Sequence, residues 1–382
     1  VIYPSLDHWA WLVAVFLLGG CIGSFLNVVI HRLPLGLSVG DPKRSFCPKC
    51  KAAIPMRRNL PILSWLLLRG RCADCREPIS PRYLVVEILT GLLFAAIWAV
   101  AVDWLGGDTP TLAHLVILPL WFMTAAFVAI AFIDAEHQII PLELTIAGSV
   151  AGLLGGALWP RLPNLVAWPA GPDGWLGGLW LAFLGGVIGF FGLWAVVLLG
   201  KLAFGRMKWQ FDAPVPWYLE EPKSDDDPIH FHMGDRREAW WDLFFRASDR
   251  LIIEADSLRL DGGDVEPGQV VIRERKIHLP DGREIDIESL NSLDGTAAKA
   301  VIPREAMGMG DVHLMGMIGA FFGVFGVFFS LFAASLYAIF AAVLGRVGFG
   351  VRLPFGPFLI LGALTWWFGG WKLAEWYLLL VR

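Results

Sequence analysis

Apolar residues in this chain run in unbroken blocks, without the alternation of a half-buried strand or the three-to-four spacing of an amphipathic helix. The blocks occupy 9–30, 83–102, 111–133, 141–159, 175–204, 311–324, 326–345 and 355–376. A bilayer needs about 20 consecutive apolar residues per helical crossing. Most blocks meet that length, while the sixth and seventh are short and share a boundary that the pattern does not fix. The expected fold class is an all-α polytopic membrane protein with about eight transmembrane helices. The first block starts close to the N-terminus, but it has no basic stretch before it and no small-residue cleavage site after it, so a removable signal peptide is not expected.

Two polar stretches interrupt the blocks. Residues 31–82 are short and basic, too small to bury an apolar core. Residues 205–305 hold 36 of the chain's 66 Asp, Glu, Lys and Arg residues, 22 acidic and 14 basic, and read as a soluble insertion. Its first half, from Phe211 to the acid run Asp225–Asp227, looks like loop, followed by a helix over 236–250 that carries Trp240, Trp241, Phe244 and Phe245. Its second half alternates as strands do over 251–260, 269–279 and 284–290, with Pro280-Asp281-Gly282 as a hairpin signal. His230 and His232 lack further spaced ligands and read as solvated surface, as does the acid run.

Composition agrees with a membrane protein: the 382 residues are 56% hydrophobic and only 17% charged, with 19 Trp and 42 Gly. Between Asp41 and Arg82 lie ten Lys and Arg against three acids. By the positive-inside rule that loop is cytoplasmic and the N-terminus outside. Counting forward, Asp134, the 205–305 insertion, Asp311 and the loop with Arg346 and Arg352 fall on the cytoplasmic side. No phosphate-cradling glycine loop is present, and no basic aromatic face suits nucleic acid.

Three groups of residues carry candidate chemistry. Asp134, in Ala131-Phe132-Ile133-Asp134, and Asp311, in Gly308-Met309-Gly310-Asp311, each abut an apolar block. A carboxylate there costs a few kcal/mol unless paired or hydrated. Two such groups facing one another cannot both ionise, so one keeps its proton while the other acts as general base on a shared water, which is the logic of an aspartyl protease. Gly308 and Gly310 allow close backbone approach. Helix-end roles for both acids, one terminating and one capping, remain open. Cys47-Pro48-Lys49-Cys50 and Cys72-Ala73-Asp74-Cys75 form two CxxC knuckles, the signature of a structural zinc site with four thiolates; a redox pair and an iron site are the alternatives. Cys21, inside the first block, reads as a packing residue.

Taken together, these motifs resemble the type IV prepilin peptidases, bacterial membrane enzymes of the GxGD aspartyl protease class. The resemblance rests on Gly23-Ser24-Phe25-Leu26-Asn27 through His31-Arg32-Leu33-Pro34, on Asn59-Leu60-Pro61 through Ser64-Trp65 between the knuckles, on Arg82-Tyr83 through Glu87 and Thr90-Gly91, on both aspartate motifs, and on Pro354-Phe355-Gly356-Pro357-Phe358-Leu359. It covers nearly all of 9–376 except the insertion. It implies cleavage of the basic leader of prepilins or pseudopilins at the cytoplasmic face by Asp134 and Asp311, and methylation of the new N-terminus from S-adenosylmethionine by the 31–82 region. Asn27, Arg32 and Glu87, polar at span boundaries, are candidates for the methyl donor's site; anchoring of helix ends is the other role open to them. Two departures stand out. Ile140-Pro141-Leu142 lacks an acid that the family often places after the proline, with Glu143 adjacent, and relatives commonly have only a short connection where 205–305 lies.

The expected map is a first span at 9–30, a cytoplasmic zinc-binding domain at 31–82, spans two to five at 83–204, the insertion at 205–305 and the last spans at 306–382, in a bacterial inner membrane. The insertion is expected to gate or select substrate; the sequence leaves the oligomeric state open. The rivals are a zinc or ion transporter, which should show inverted repeats that are not seen, a non-catalytic assembly factor of a secretion machine, and a general intramembrane protease.

Overall fold

The computed structural model describes residues 9–41, 46–47, 49–55, 60–105, 112–166, 174–204, 206–220, 229–244, 249–273, 275–303, 307–346 and 353–381. The acid run Asp225–Asp227, Asn59, Phe245 and Arg352 lie outside them. The chain divides into two compact units, Val1–Trp194 with Gly308–Arg382, and Ala195–Met307.

In the first unit the helices are α1 (Trp9–Arg32), a short α2 (Leu63–Leu67), α3 (Arg82–Leu105), α4 (Ile117–His137) and α5 (Leu142–Leu158); α6 (Gly174–Phe204) begins in it. Beyond α7 (Trp240–Leu243) of the second unit follow α8 (Met309–Leu344), α9 (Gly356–Thr365) and α10 (Trp371–Val381). Among the described residues five helices are long and apolar enough to cross a membrane, beginning at Trp9, Arg82, His114, Gly174 and Met309; Leu142–Leu158 is apolar but shorter. Helices α1 and α3 touch at backbone distance, since a Cβ on Gly23 would lie 2.8 Å from Glu87 Cα. At the far end of α3, Trp104 packs with Trp367, ring centroids 5.0 Å apart, and with Trp159 and Trp371.

The blocks expected at 311–324 and 326–345 form one continuous element, α8, broken only at Gly323, whose φ of 64° lies in the left-handed region. The break is a reversal. A Cβ on Gly319 would lie 2.9 Å from Val327 Cγ2, whereas eight residues of straight helix span about 12 Å. Glycine permits the turn because it has no Cβ to oppose positive φ. The block at 355–376 is likewise divided, by a π-helical turn at Trp366–Gly370 with Gly369 at φ 130°. Cys21 is exposed on α1, so it does not pack inside the bundle.

The second unit bears the strands expected in the insertion and extends them over its first half. It is a nine-stranded antiparallel sheet: β1 (Arg206–Glu220), β2 (His230–Met233), β3 (Arg236–Ala239), β4 (Leu251–Leu260), β5 (Gly263–Val265), β6 (Gly268–Ile272), β7 (Lys276–His278), β8 (Glu284–Asp286) and β9 (Leu293–Pro303). The order is β3-β2-β1-β9-β4-β6-β7-β8, with β5 against β4. Of the stretch read as loop, Phe211–Glu220 is part of β1; Pro214 falls where the register shifts between Gln210 and Val215, a place where no ladder N–H is required, and Pro216 stands opposite Thr296 of β9. Of the helix expected over 236–250, Arg236–Ala239 pairs with β2 as a strand instead, and among the described residues only Trp240–Leu243, α7, is helical. The expected strand over 269–279 is two strands, β6 and β7, and the Pro280-Asp281-Gly282 turn joins β7 to β8. One buried cluster includes Trp209, Trp217 and Phe231 from one side of the order and Ile272, Ile277 and Leu279 from the other. Without a helical layer among the described residues to cover it, such a face can be buried only if the sheet curls over itself.

Candidate active site

Asp134 sits on the last turn of α4. The helix ends there because Gln138 takes a left-handed conformation, φ 55°, and its N–H closes on the Asp134 carbonyl at 2.9 Å, a common helix stop. Pro141 then starts α5. Asp311 is three residues into α8, whose first turn is capped at Gly308; its carboxylate accepts from the Gly308 N–H. Both carboxylates are buried. They come from helices far apart in sequence, yet lie close enough for Asp311 to feel the charge of Asp134.

A third segment completes the arrangement. The Gly356 N–H, at the start of α9, donates to Asp134 Oδ2 at 3.0 Å. Asp311 Oδ1, by contrast, is buried without a hydrogen-bond partner, which leaves one acceptor available to a bound water or substrate group. Ile140 fills the space between the glycines: a Cβ on Gly310 would lie 2.7 Å from Ile140 Cβ, and one on Gly356 would lie 2.7 Å from Asp134 Oδ2 and 3.1 Å from Ile140 Cδ1. Gly310 and Gly356 are therefore fixed by crowding. Gly308 is not, since a Cβ there would meet nothing closer than 3.9 Å. Gly356 was not singled out as a site residue from sequence; its only signal was its place in Pro354-Phe355-Gly356-Pro357. Glu143 is exposed in the first turn of α5. Two residues beyond Asp134, Glu136 pairs with Arg82, the first residue of α3.

The four cysteines converge. Their sulfurs all lie within 4.8 Å of one another, and Cys47 Sγ is 3.8 Å from Cys75 Sγ. A tetrahedral zinc with Zn–S bonds near 2.3 Å holds its sulfurs about 3.8 Å apart, so the donor set fits. Both knuckles share one backbone plan. The Cys47 N–H reaches the Ala52 carbonyl and the Lys51 N–H returns to the Cys47 carbonyl, while Cys72 pairs with Glu77 and Arg76 in the same way. Lys51 and Arg76 both take positive φ. The Cys50 N–H holds the Cys47 thiol down to about 7 against the opposing effect of burial. At Cys75 the Glu77 N–H also lowers the pKa, but burial and the neighbouring sulfurs outweigh it and push the thiol up to about 12. Metal binding here must therefore release protons.

Of the other polar candidates, Arg32 Nη1 donates to the Ser38 and Val39 carbonyls, each at 3.2 Å, and ties down the chain after α1. Glu87 Oε2 accepts from the Ile62 N–H at 2.6 Å. Asn27 Nδ2 donates to the Tyr83 carbonyl at 3.1 Å, while its Oδ1 is buried without a partner. In the other unit His232 lies on β2, its Nε2 2.6 Å from Glu220 Oε2 and its ring stacked on Tyr218 at 4.7 Å.

A family profile described as the Bacterial Peptidase A24 N-terminal domain matches residues 17–101. A prepilin leader peptidase/N-methyltransferase of Myxococcus xanthus is 39% identical over 194 residues, 51% of this chain and 50% of that protein. Proteins of the same name from Aeromonas hydrophila and Klebsiella pneumoniae are each 36% identical, over 52% and 53% of this chain and 68% and 79% of their own lengths. The chain thus spans about half the length of the Myxococcus relative. No solved structure matches.

Proposed function

The chain belongs to the prepilin leader peptidase/N-methyltransferase family, and on that premise we propose that it is a membrane aspartyl endopeptidase that removes the leader of type IV prepilins or pseudopilins. The observation that carries this reading is the meeting of two buried carboxylates, Asp134 and Asp311, from separate helices. The Gly356 N–H orients the Asp134 carboxyl. Asp311 Oδ1 keeps an open lone pair. With one proton shared between the two acids, the ionised partner takes a proton from water as it attacks the scissile carbonyl, and the protonated partner donates to the carbonyl oxygen or departing amine.

The same chain then methylates the new N-terminus, in this reading, with S-adenosylmethionine supplying the methyl group. Asn27 is the residue we place beside the donor, since its Oδ1 is a buried acceptor with nothing yet to bind, whereas Arg32 and Glu87 are engaged in holding loops. Zinc at Cys47, Cys50, Cys72 and Cys75 staples residues 31–82, a stretch too small to fold on an apolar core.

We place the protein in the bacterial inner membrane, N-terminus outside, with both aspartates and the sheet unit on the cytoplasmic side. Ten basic residues between Asp41 and Arg82 support that orientation. Eight crossings result if α5, each limb of α8 and the α9–α10 segment are counted with the remaining long helices. The deciding experiment incubates detergent-purified protein with a prepilin-like peptide, with and without S-adenosylmethionine, and reads product masses. A cut before the apolar stretch, with a methyl added only when the donor is present, is expected; an intact peptide overturns the reading.

A further inference from the structure

Between the two cysteine pairs the chain exposes Leu60, Leu63, Leu66 and Leu67, at 52, 55, 52 and 80%. The segment that carries them is tied down by hydrogen bonds. Ser64 Oγ accepts from the Leu60 N–H at 2.9 Å, and Trp65 Nε1 donates to the Ile79 carbonyl at 3.3 Å, tying α2 to the second knuckle. A loose surface loop would let such side chains fold inward.

The same run penetrates along the spanning helices. A Cβ on Gly20 of α1 would lie 3.7 Å from Pro61 Cβ and 3.8 Å from Ile62 Cδ1. Gly20 is twelve residues before the end of α1 at Arg32, and Glu87, which accepts from Ile62, is five residues beyond the start of α3 at Arg82. At 1.5 Å per residue the turn at Ile62 stands about 8–18 Å along these helices from their basic ends. In a hydrocarbon layer about 30 Å thick that is the depth of acyl chains.

The turn itself shows what this depth costs. Ile62 has φ 64° and ψ −56°, and the Leu63 N–H closes on the Pro61 carbonyl at 2.6 Å. This is a γ-turn of the strained hand, on a β-branched residue. Non-helical backbone at membrane depth has no water to satisfy it and must find a partner in the protein. Glu87 is that partner, which accounts for a buried acid that the peptidase chemistry does not use.

We propose that residues 60–68 are a re-entrant foot that seats its leucines in the acyl chains of the bilayer, with Glu87 as the acceptor that makes the dip possible. On α1, which meets this run at Gly20, Leu17 and Leu18 are also exposed. Exposed Lys49, Lys51, Arg69, Arg71 and Arg76 border the run on the knuckles and match the charge of anionic headgroups. The partner is therefore the lipid itself, and the stretch is not wholly an aqueous loop.

The test uses the full chain in nanodiscs of mixed phosphatidylcholine and phosphatidylglycerol. An environment-sensitive fluorescent amino acid replaces Leu67 in one sample and Glu266, exposed on the sheet unit, in another. Phosphatidylcholine with a doxyl group on its acyl chain should remove most of the emission at 67 and spare 266, and aqueous iodide should do the reverse. Quenching at 67 by iodide, or protection there from both quenchers, overturns the proposal: the first means water covers the leucines, the second that protein does.

Discussion

Replacing Gly356 by alanine tests the candidate active site at its narrowest point. The added Cβ would stand 2.7 Å from Asp134 Oδ2 and 3.3 Å from Asp134 Cγ. Contacts this short do not persist, so the carboxyl or the start of α9 must shift, and the 3.0 Å bond from the Gly356 N–H opens. A hydrogen bond to a charged group contributes about 1.5–3 kcal/mol. If that contribution is present in the transition state, its loss lowers kcat about ten- to a hundredfold, at 1.36 kcal/mol per decade. Substrate binding remote from the carboxyls is untouched, so KM should change little. Crowding costs about 1–3 kcal/mol of stability, which a melting curve reports separately from turnover. The assay is leader cleavage of a prepilin-like peptide followed by mass spectrometry, with Leu361→Ala, an exposed site on α9, as control. Turnover by Gly356→Ala within about twofold of the parent, under 0.5 kcal/mol, would refute the role given to that N–H.

Asp134→Asn and Asp311→Asn should each abolish cleavage while the protein still purifies and melts as a folded species, because an amide cannot accept the proton that the pair must exchange; substantial cleavage by either would remove the dyad. Elemental analysis should find about one zinc per chain, and Cys72→Ala with Cys75→Ala should lose it and reduce methylation more than cleavage. Full alkylation of all four native thiols in metal-free parent protein would contradict the site. The sheet unit has its own buried core, so residues 206–303 expressed alone should give a β-type circular dichroism spectrum and one cooperative melt; a non-cooperative transition would show that the core needs the rest of the chain.

Much of this was written in the order of residues, for identifiable reasons. Apolar blocks and isolated carboxylates are visible because a bilayer penalises charge so heavily that Asp134 and Asp311 stand out. The CxxC pairs are visible because ligand spacing is local. What sequence hid depends on contacts at long range. Gly323 reverses α8 only because its backbone turns left-handed, and a glycine in an apolar block looks the same whether it bends or packs. Gly356 matters through a carboxylate 222 positions away. Arg236–Ala239 has the composition of a helix start, yet it pairs with β2, where tertiary context overrides propensity. The prolines of β1 argued for a loop, yet Pro214 falls in a register shift and Pro216 stands within the ladder opposite Thr296.

The pairing of β1 with β9 carries a consequence for how the protein is made. Arg206 lies opposite Pro303, so the first strand of the sheet has to wait for the last. At a ribosomal rate of about 5–20 residues per second, that interval is about 5–20 s. Throughout it Trp209 and Trp217, destined for the core, are without their β9 neighbours on a nascent chain already anchored by α6. Biogenesis therefore has a vulnerable window just before the helix bearing Asp311 leaves the ribosome. Chaperone demand, and sensitivity to slow codons, should concentrate between residues 206 and 303.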